Sequence, residues 1–117
     1  MLAKIKARPG FAEEVGMLLV HNGVVRAWSR AGRRPVAAVT VTVDREKLAA
    51  VCREVAARPG IFAAEAEGRE GRFLPGEDLL LLVVAGDVRE HVLAAMAELL
   101  DRAKGEAVTK VEHFAEP

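Results

Sequence analysis

One cysteine, Cys52, no tyrosine and a single tryptophan stand out first among what this sequence has little of. A lone cysteine excludes an intrachain disulfide and a cysteine-built zinc site, and it suits a reducing compartment. A net charge is missing too. Seventeen Lys and Arg are cancelled by seventeen Asp and Glu, so no global positive field argues for nucleic acid, and any anion binding has to be local. Long apolar runs are absent: "LLLLVVA" is too short to span a bilayer, and "MLAKIKARPG" has no apolar core of signal-peptide length, so the expectation is a cytoplasmic protein without membrane contact. The only serine, Ser29, has no histidine and carboxylate partners by motif, and no Gly-Lys-Ser/Thr follows the glycines of "GREGRFLPGED" to make a phosphate loop. His21, His91 and His113 are scattered without metal-ligand spacing, so they read as structural or solvated, and neither a metal nor a cofactor is expected.

What is present is the composition of a globular domain. A chain of 117 residues, 51% apolar and 29% charged, suffices for one domain, 1–117, with one modest core. "GMLLVHNGVVRAWS" is a long strand, with room for a short one before it at the N-terminus, and "RAGRRP" breaks it. "VAAVTVTV" alternates valine with threonine and predicts a half-buried strand. The period then changes: behind Asp44 as N-cap, Leu48, Val51, Cys52 and Val55 form one helical stripe that ends at "RPG". Cys52 on that stripe behaves as a small hydrophobe rather than a nucleophile. "IFAAEAE" reads as a short strand, "GREGRFLPGED" as a loop, and "LLLLVVA" as a strand covered on both faces. Asp87 and Glu90 have capping-box spacing for a second helix, with Val88, Val92, Met96, Leu99 or Leu100, and Ala103 on its stripe and Gly105 as its C-cap. "AVTKVEHF" closes the chain as a strand. The order from Pro35 is β-α-β-β-α-β. It predicts an α+β fold, a two-layer sandwich with two main helices on one face of a mainly antiparallel sheet.

Cations gather at the ends of these elements: Arg26, Arg69, Arg89, Lys104 and Lys110. Lys104 beside Gly105 complements a helix dipole, and Lys110 alternates outward on a strand. Arg89 is less comfortable, because a cation in a first helical turn faces the positive end of the dipole. The same place would suit an anion site that joins backbone N–H groups to a guanidinium fork.

Read together, "GMLLVHNGVVR", "GREGRFLPGEDLLLLVVAGDVR" and "DRAK" with a lysine soon after it resemble the large, catalytic subunit of molybdopterin synthase, over roughly residues 16–111. The resemblance implies an α/β hammerhead-type fold and a sulfur transferase of molybdenum cofactor biosynthesis. In such an enzyme the substrate is cyclic pyranopterin monophosphate, and sulfur arrives as a thiocarboxylate on the C-terminal Gly-Gly tail of a small ubiquitin-like subunit. The family assembly is a homodimer within a heterotetramer. Carried over by position, Lys104 falls on the catalytic lysine and Lys110 on the second, while Arg26, Arg69 and Arg89 match substrate-binding arginines.

The sequence also departs from the family pattern. The loop motif's histidine is Gly68 here, the histidine before the second arginine is Val88, and "AVTK" lacks the usual tryptophan. The N-terminal region leaves little room for the family's first helix. These losses sustain an alternative expectation, a non-catalytic relative that keeps the fold and a pterin- or anion-binding pocket as a binding or regulatory module.

Overall fold

In the computed structural model, which describes residues 1–115, the chain forms an α+β fold from two three-stranded antiparallel sheets and two main helices. Two short helices, α1 (Leu2–Lys6) and α2 (Phe11–Glu14), open the chain. They correct the expectation of little room for a helix there: Ile5 is fully buried, and Phe11 and Val15 pack beside it.

The first sheet has the order β1-β5-β3, with β1 spanning Met17–Val24, β3 Ile61–Gly68 and β5 Asp78–Gly86. Its central strand explains the unbroken apolar run. Leu80, Leu82 and Val84 enter the main core beside Leu48, Val51, Val92 and Leu99 of the helices, whereas Val83 and Ala85 join a smaller cluster with Ile5 and Ala63. A strand with apolar neighbours on both faces has no place for alternation.

The second sheet has the order β4-β2-β6, with β2 spanning Val36–Val43, β4 Gly71–Phe73 and β6 Val108–Phe114. The antiparallel strands therefore divide between two sheets where one was expected, and part of the "GREGRFLPGED" loop becomes a short strand paired with Val39–Val41. The long first strand also stops earlier than its composition suggests. Beyond Val24 only an isolated bridge, Trp28 to Pro35, continues the pairing.

Helix α3 (Arg45–Ala56) is capped as its sequence predicts, the Asp44 carboxylate accepting a hydrogen bond from the Lys47 N–H at 3.1 Å. Helix α4 (Arg89–Arg102) is not. Val88 occupies the cap position, and the Asp87 carboxylate accepts instead from the adjacent Val88 N–H and contacts His91 Nδ1, both at 2.7 Å, so no capping box with Glu90 forms. Gly105 does not end the helix either. The chain passes from α4 into one π-helical turn, Ala103–Ala107, in which the Val108 N–H reaches the Ala103 carbonyl. The wider turn buries both Ala103 and Ala107 while leaving Lys104, Gly105 and Glu106 at the surface. Such turns recur at functional sites.

This turn is held by charge as well as packing. Arg102 reaches Glu106 at 2.8 Å, Glu54 of α3 at 3.1 Å and Glu98 at 3.3 Å, and Arg58 forms a two-pronged contact with Glu98. Hydrogen bonding by Arg58 holds the Glu98 carboxyl below its ordinary value, and Arg102 does the same to Glu106. Carboxyls lowered in this way contribute stability above their ordinary value and lose it as the pH falls through the lowered one. Arg102→Ala is therefore expected to lower Tm at neutral pH. In thermal melts across a pH series, its gap from the parent should close as the pH drops well below 4.5, where the carboxylates take up protons in both proteins.

Candidate functional site

Two of the expected catalytic residues meet in space. A cleft of about 250 Å³ opens between the two sheets, walled by Gly23 and Val24 of β1, Leu79 and Leu80 of β5, and Val41 of β2. Lys104 of the π-helical turn and Lys110 of β6, with Val108 between them, complete the lining. The local reasons are legible. The π-turn exposes Lys104 while Ala103 and Ala107 anchor it, and the Asp44 N–H to Ala107 carbonyl hydrogen bond of 2.7 Å ties the turn to the end of β2. Lys110 pairs with Val41 across the β2–β6 ladder, which sets it on the cleft wall. No carboxylate lines the cleft among the described residues, so its two ammonium groups meet apolar walls and backbone. Such a site favours an anionic ligand with an apolar body.

The three arginines are placed differently. Arg26 lies two residues beyond the wall residue Val24, with its guanidinium stacked over Trp28 at 4.3 Å, and Arg33 stacks on the same ring at 4.5 Å. Arg26 is not among the residues that line the cleft. Arg69 sits in the turn between β3 and β4, donates to the Asp78 carbonyl at 3.3 Å and lies over Phe73 at 5.2 Å. It lines a neighbouring depression that shares only Leu80 with the cleft. Arg89 is remote. It begins α4, is 79% exposed and makes one loose contact with Glu90 at 3.5 Å. The whole helix separates it from Lys104, and at 1.5 Å per residue that is roughly 20 Å.

Gly68, which replaces the histidine of the loop motif, is buried where the two sheets approach each other. A Cβ there would lie 2.9 Å from a methyl of Val43, so any side chain at 68 would displace it. The space is taken by the valine of the opposite sheet. Val88, at the second lost histidine, is 46% exposed and flanks the remote Arg89.

Among the histidines, His113 bonds Thr40 Oγ1 at 2.7 Å and His91 bonds Asp87, as structural histidines do. His21 differs. It lies two residues before Gly23 on β1, its Nε2 is buried without a hydrogen-bond partner, and burial, with a smaller effect of the Lys104 charge, holds its imidazole below the ordinary value. From sequence it reads as structural or solvated, and its period-two spacing from Gly23 is the one signal that sets it on the face of a cleft residue. Cys52 is half-buried, with its thiol pushed up by burial and then by the Glu65 charge, which agrees with an unreactive side chain. Among the described residues no group of three or more His, Cys, Asp or Glu is placed to hold a metal ion, and no helix is long and apolar enough to cross a membrane.

Several solved structures share this architecture. Molybdopterin synthase from Staphylococcus aureus superposes with a TM-score of 0.74 at 20% identity, covering 88% of this chain and 77% of that one. The molybdopterin biosynthesis MoaE protein of Burkholderia ambifaria gives 0.72 at 22% identity, over 99% and 82%. A chain in the complex of subunits 1 and 2 of the molybdopterin-converting factor of Helicobacter pylori gives 0.68 at 18% identity, over 97% and 76%. No curated protein sequence matches the chain significantly. The family model described as MoaE protein, however, matches residues 2–106, which is most of the chain and includes the whole of β1, β5 and α4 together with Lys104. This protein is a member of the MoaE family.

Proposed function

We propose that this chain is the large subunit of a molybdopterin synthase. Family membership supports a place in molybdenum cofactor biosynthesis, and the finer reading rests on one observation: Lys104 of the π-helical turn and Lys110 of the strand that follows it line one cleft in which no carboxylate stands among the described residues. The substrate on this reading is cyclic pyranopterin monophosphate, and the sulfur donor is the thiocarboxylated Gly-Gly tail of a small ubiquitin-like subunit. The Helicobacter pylori neighbour, described as a complex of two subunits, supports a partner of that kind.

The cleft suits this chemistry. Walls of Val24, Val41, Leu79 and Val108 leave room for a slender tail without side chains, and the two ammonium groups stand where charge develops. Transfer of sulfur through an acyl intermediate builds negative charge that a fixed cation stabilises, and a positioned lysine is also a candidate to move protons. Arg26 at the cleft border supplies a planar fork for the phosphate. Arg69 lines the next depression, where Glu67 and Asp78 offset its charge, so it contributes less to an anion site than Arg26. Arg89 is too distant to serve Lys104 of the same chain, so its contribution to a substrate requires a second copy, in keeping with the proposed homodimer within a heterotetramer.

The test is to mix the purified chain with a thiocarboxylated small subunit and cyclic pyranopterin monophosphate and to assay the dithiolene product. Product is the expected result. The filling of the loop-histidine space by Val43 favours a second reading, a relative that binds the pterin without converting it. Precursor binding with no product under these conditions would establish that reading and remove the first.

A further inference from the structure

We propose that His21 is a positioning residue for Lys104, its neutral imidazole offering Nε2 as a hydrogen-bond acceptor that holds the lysine ammonium at the cleft. Three observations converge on it. Nε2 is buried and has no partner, a costly state for a ring nitrogen that could otherwise bond water or a neighbour. The ring lies along β1 toward the cleft: a Cβ on Gly23, a wall residue, would sit 3.5 Å from Nε2. Lys104 lines the same cleft as Gly23, and after burial its charge is the further influence that lowers the imidazole.

The other neighbours of the ring leave it no competing partner. On β5 it faces Leu82, and the next residue on that face is Leu80, both buried. Asp78, at the start of β5, is engaged by Asn22 at 3.2 Å. Helix α4 buries only Val92, Ala95, Met96 and Leu99, and its last arginine, Arg102, is occupied by Glu54, Glu98 and Glu106. Lys110 stands elsewhere on the cleft lining. A four-carbon stem anchored in an exposed π-turn is free to swing, and an acceptor at a fixed place on a strand gives its ammonium one preferred position. Below the ordinary value of 6.5 and toward the lowered one, the ring takes up a proton, loses its lone pair and sets like charges against each other, so Lys104 is released.

The role in turnover rests on the synthase reading, but the pairing is tested without it. The sequence has only three histidines, so long-range proton–nitrogen spectra of the intact protein resolve the His21 ring. At neutral pH Nε2 should be the unprotonated nitrogen, and in Lys104→Met the His21 titration midpoint should rise toward the ordinary value. A midpoint that stays put, or a neutral ring with its proton on Nε2, overturns the pairing. In the synthase assay, His21→Phe should lower kcat roughly tenfold with little change in KM, while His21→Gln, which keeps an acceptor, should restore most of it and lack the acid limb of the pH profile. Full kcat in His21→Phe, with its stability confirmed by melting, overturns the role in turnover. If wild-type protein forms no product while both spectral results hold, the synthase reading fails and the pairing stands.

Discussion

Lys104→Ala is expected to abolish dithiolene formation, with a loss of kcat of about 100-fold or more, the usual cost of removing a group that stabilises developing charge. The fold should survive. Lys104 is exposed on the π-turn, whose anchors are the buried Ala103 and Ala107, so circular dichroism and Tm should match the parent. The pattern of kinetic changes carries more information than the loss itself. If Arg26 binds the phosphate as proposed, Arg26→Ala should raise KM more than it lowers kcat, because such a grip holds ground state and transition state alike. Lys104→Arg separates charge from proton transfer, since a guanidinium keeps the cation and does not give up a proton near neutrality. Partial turnover in that variant would assign Lys104 an electrostatic role, and none would make it the proton carrier. Turnover of Lys104→Ala at the parent rate would remove Lys104 from the mechanism.

Leu82→Ala is expected to be the most damaging single change to stability. Leu82 is fully buried at the centre of β5, paired with His21 on one side and Ala66 on the other, within the core that both helices cover. Truncating a leucine in such a place costs about 3 kcal/mol, from lost burial and from the cavity left behind. Set against a total of ~5–15 kcal/mol for a small domain, that is a large fraction. Tm should fall by about 10 °C or more in calorimetry. Val20→Ala serves as the contrast: Val20 is on β1 of the same sheet but 42% exposed, and its loss should stay within about 0.5 kcal/mol. Equal shifts in the two variants would mean that the β5 core is not where the stability resides.

The sequence was most informative where local rules and burial agree. The stripe of Leu48, Val51, Cys52 and Val55 behind the Asp44 cap specifies α3, and the structure buries Leu48, Val51 and Val55 with Cys52 half-buried beside them. Covering of "LLLLVVA" on both faces was legible in the missing alternation, although not what would cover it, because Ile5 and Phe11 come from a segment with no clear period. Where polar contacts compete, local rules failed. Asp87 has the spacing to cap α4, yet it is drawn to His91 and its own neighbour Val88. Gly105 resembles a helix stop, but burial of Ala107 and the Arg102 network carry the chain through a π-turn instead.

The candidate site divides along the same line. By itself, the order of "GVVR", "GRFLPG" and "DRAK" determined the family and singled out Lys104, because a motif is a one-dimensional record of residue type and spacing. Which cations share a volume is a property of how the two sheets and α4 pack, and only the tertiary structure decided it. It set Lys104 and Lys110 in one cleft, left Arg69 in the next depression and Arg89 a helix length away, and placed the buried Nε2 of His21, which reads from sequence as structural or solvated, beside Gly23 of the cleft wall. The physical reason is that charges interact through space over a few ångströms, and distance along the chain does not fix distance in the fold.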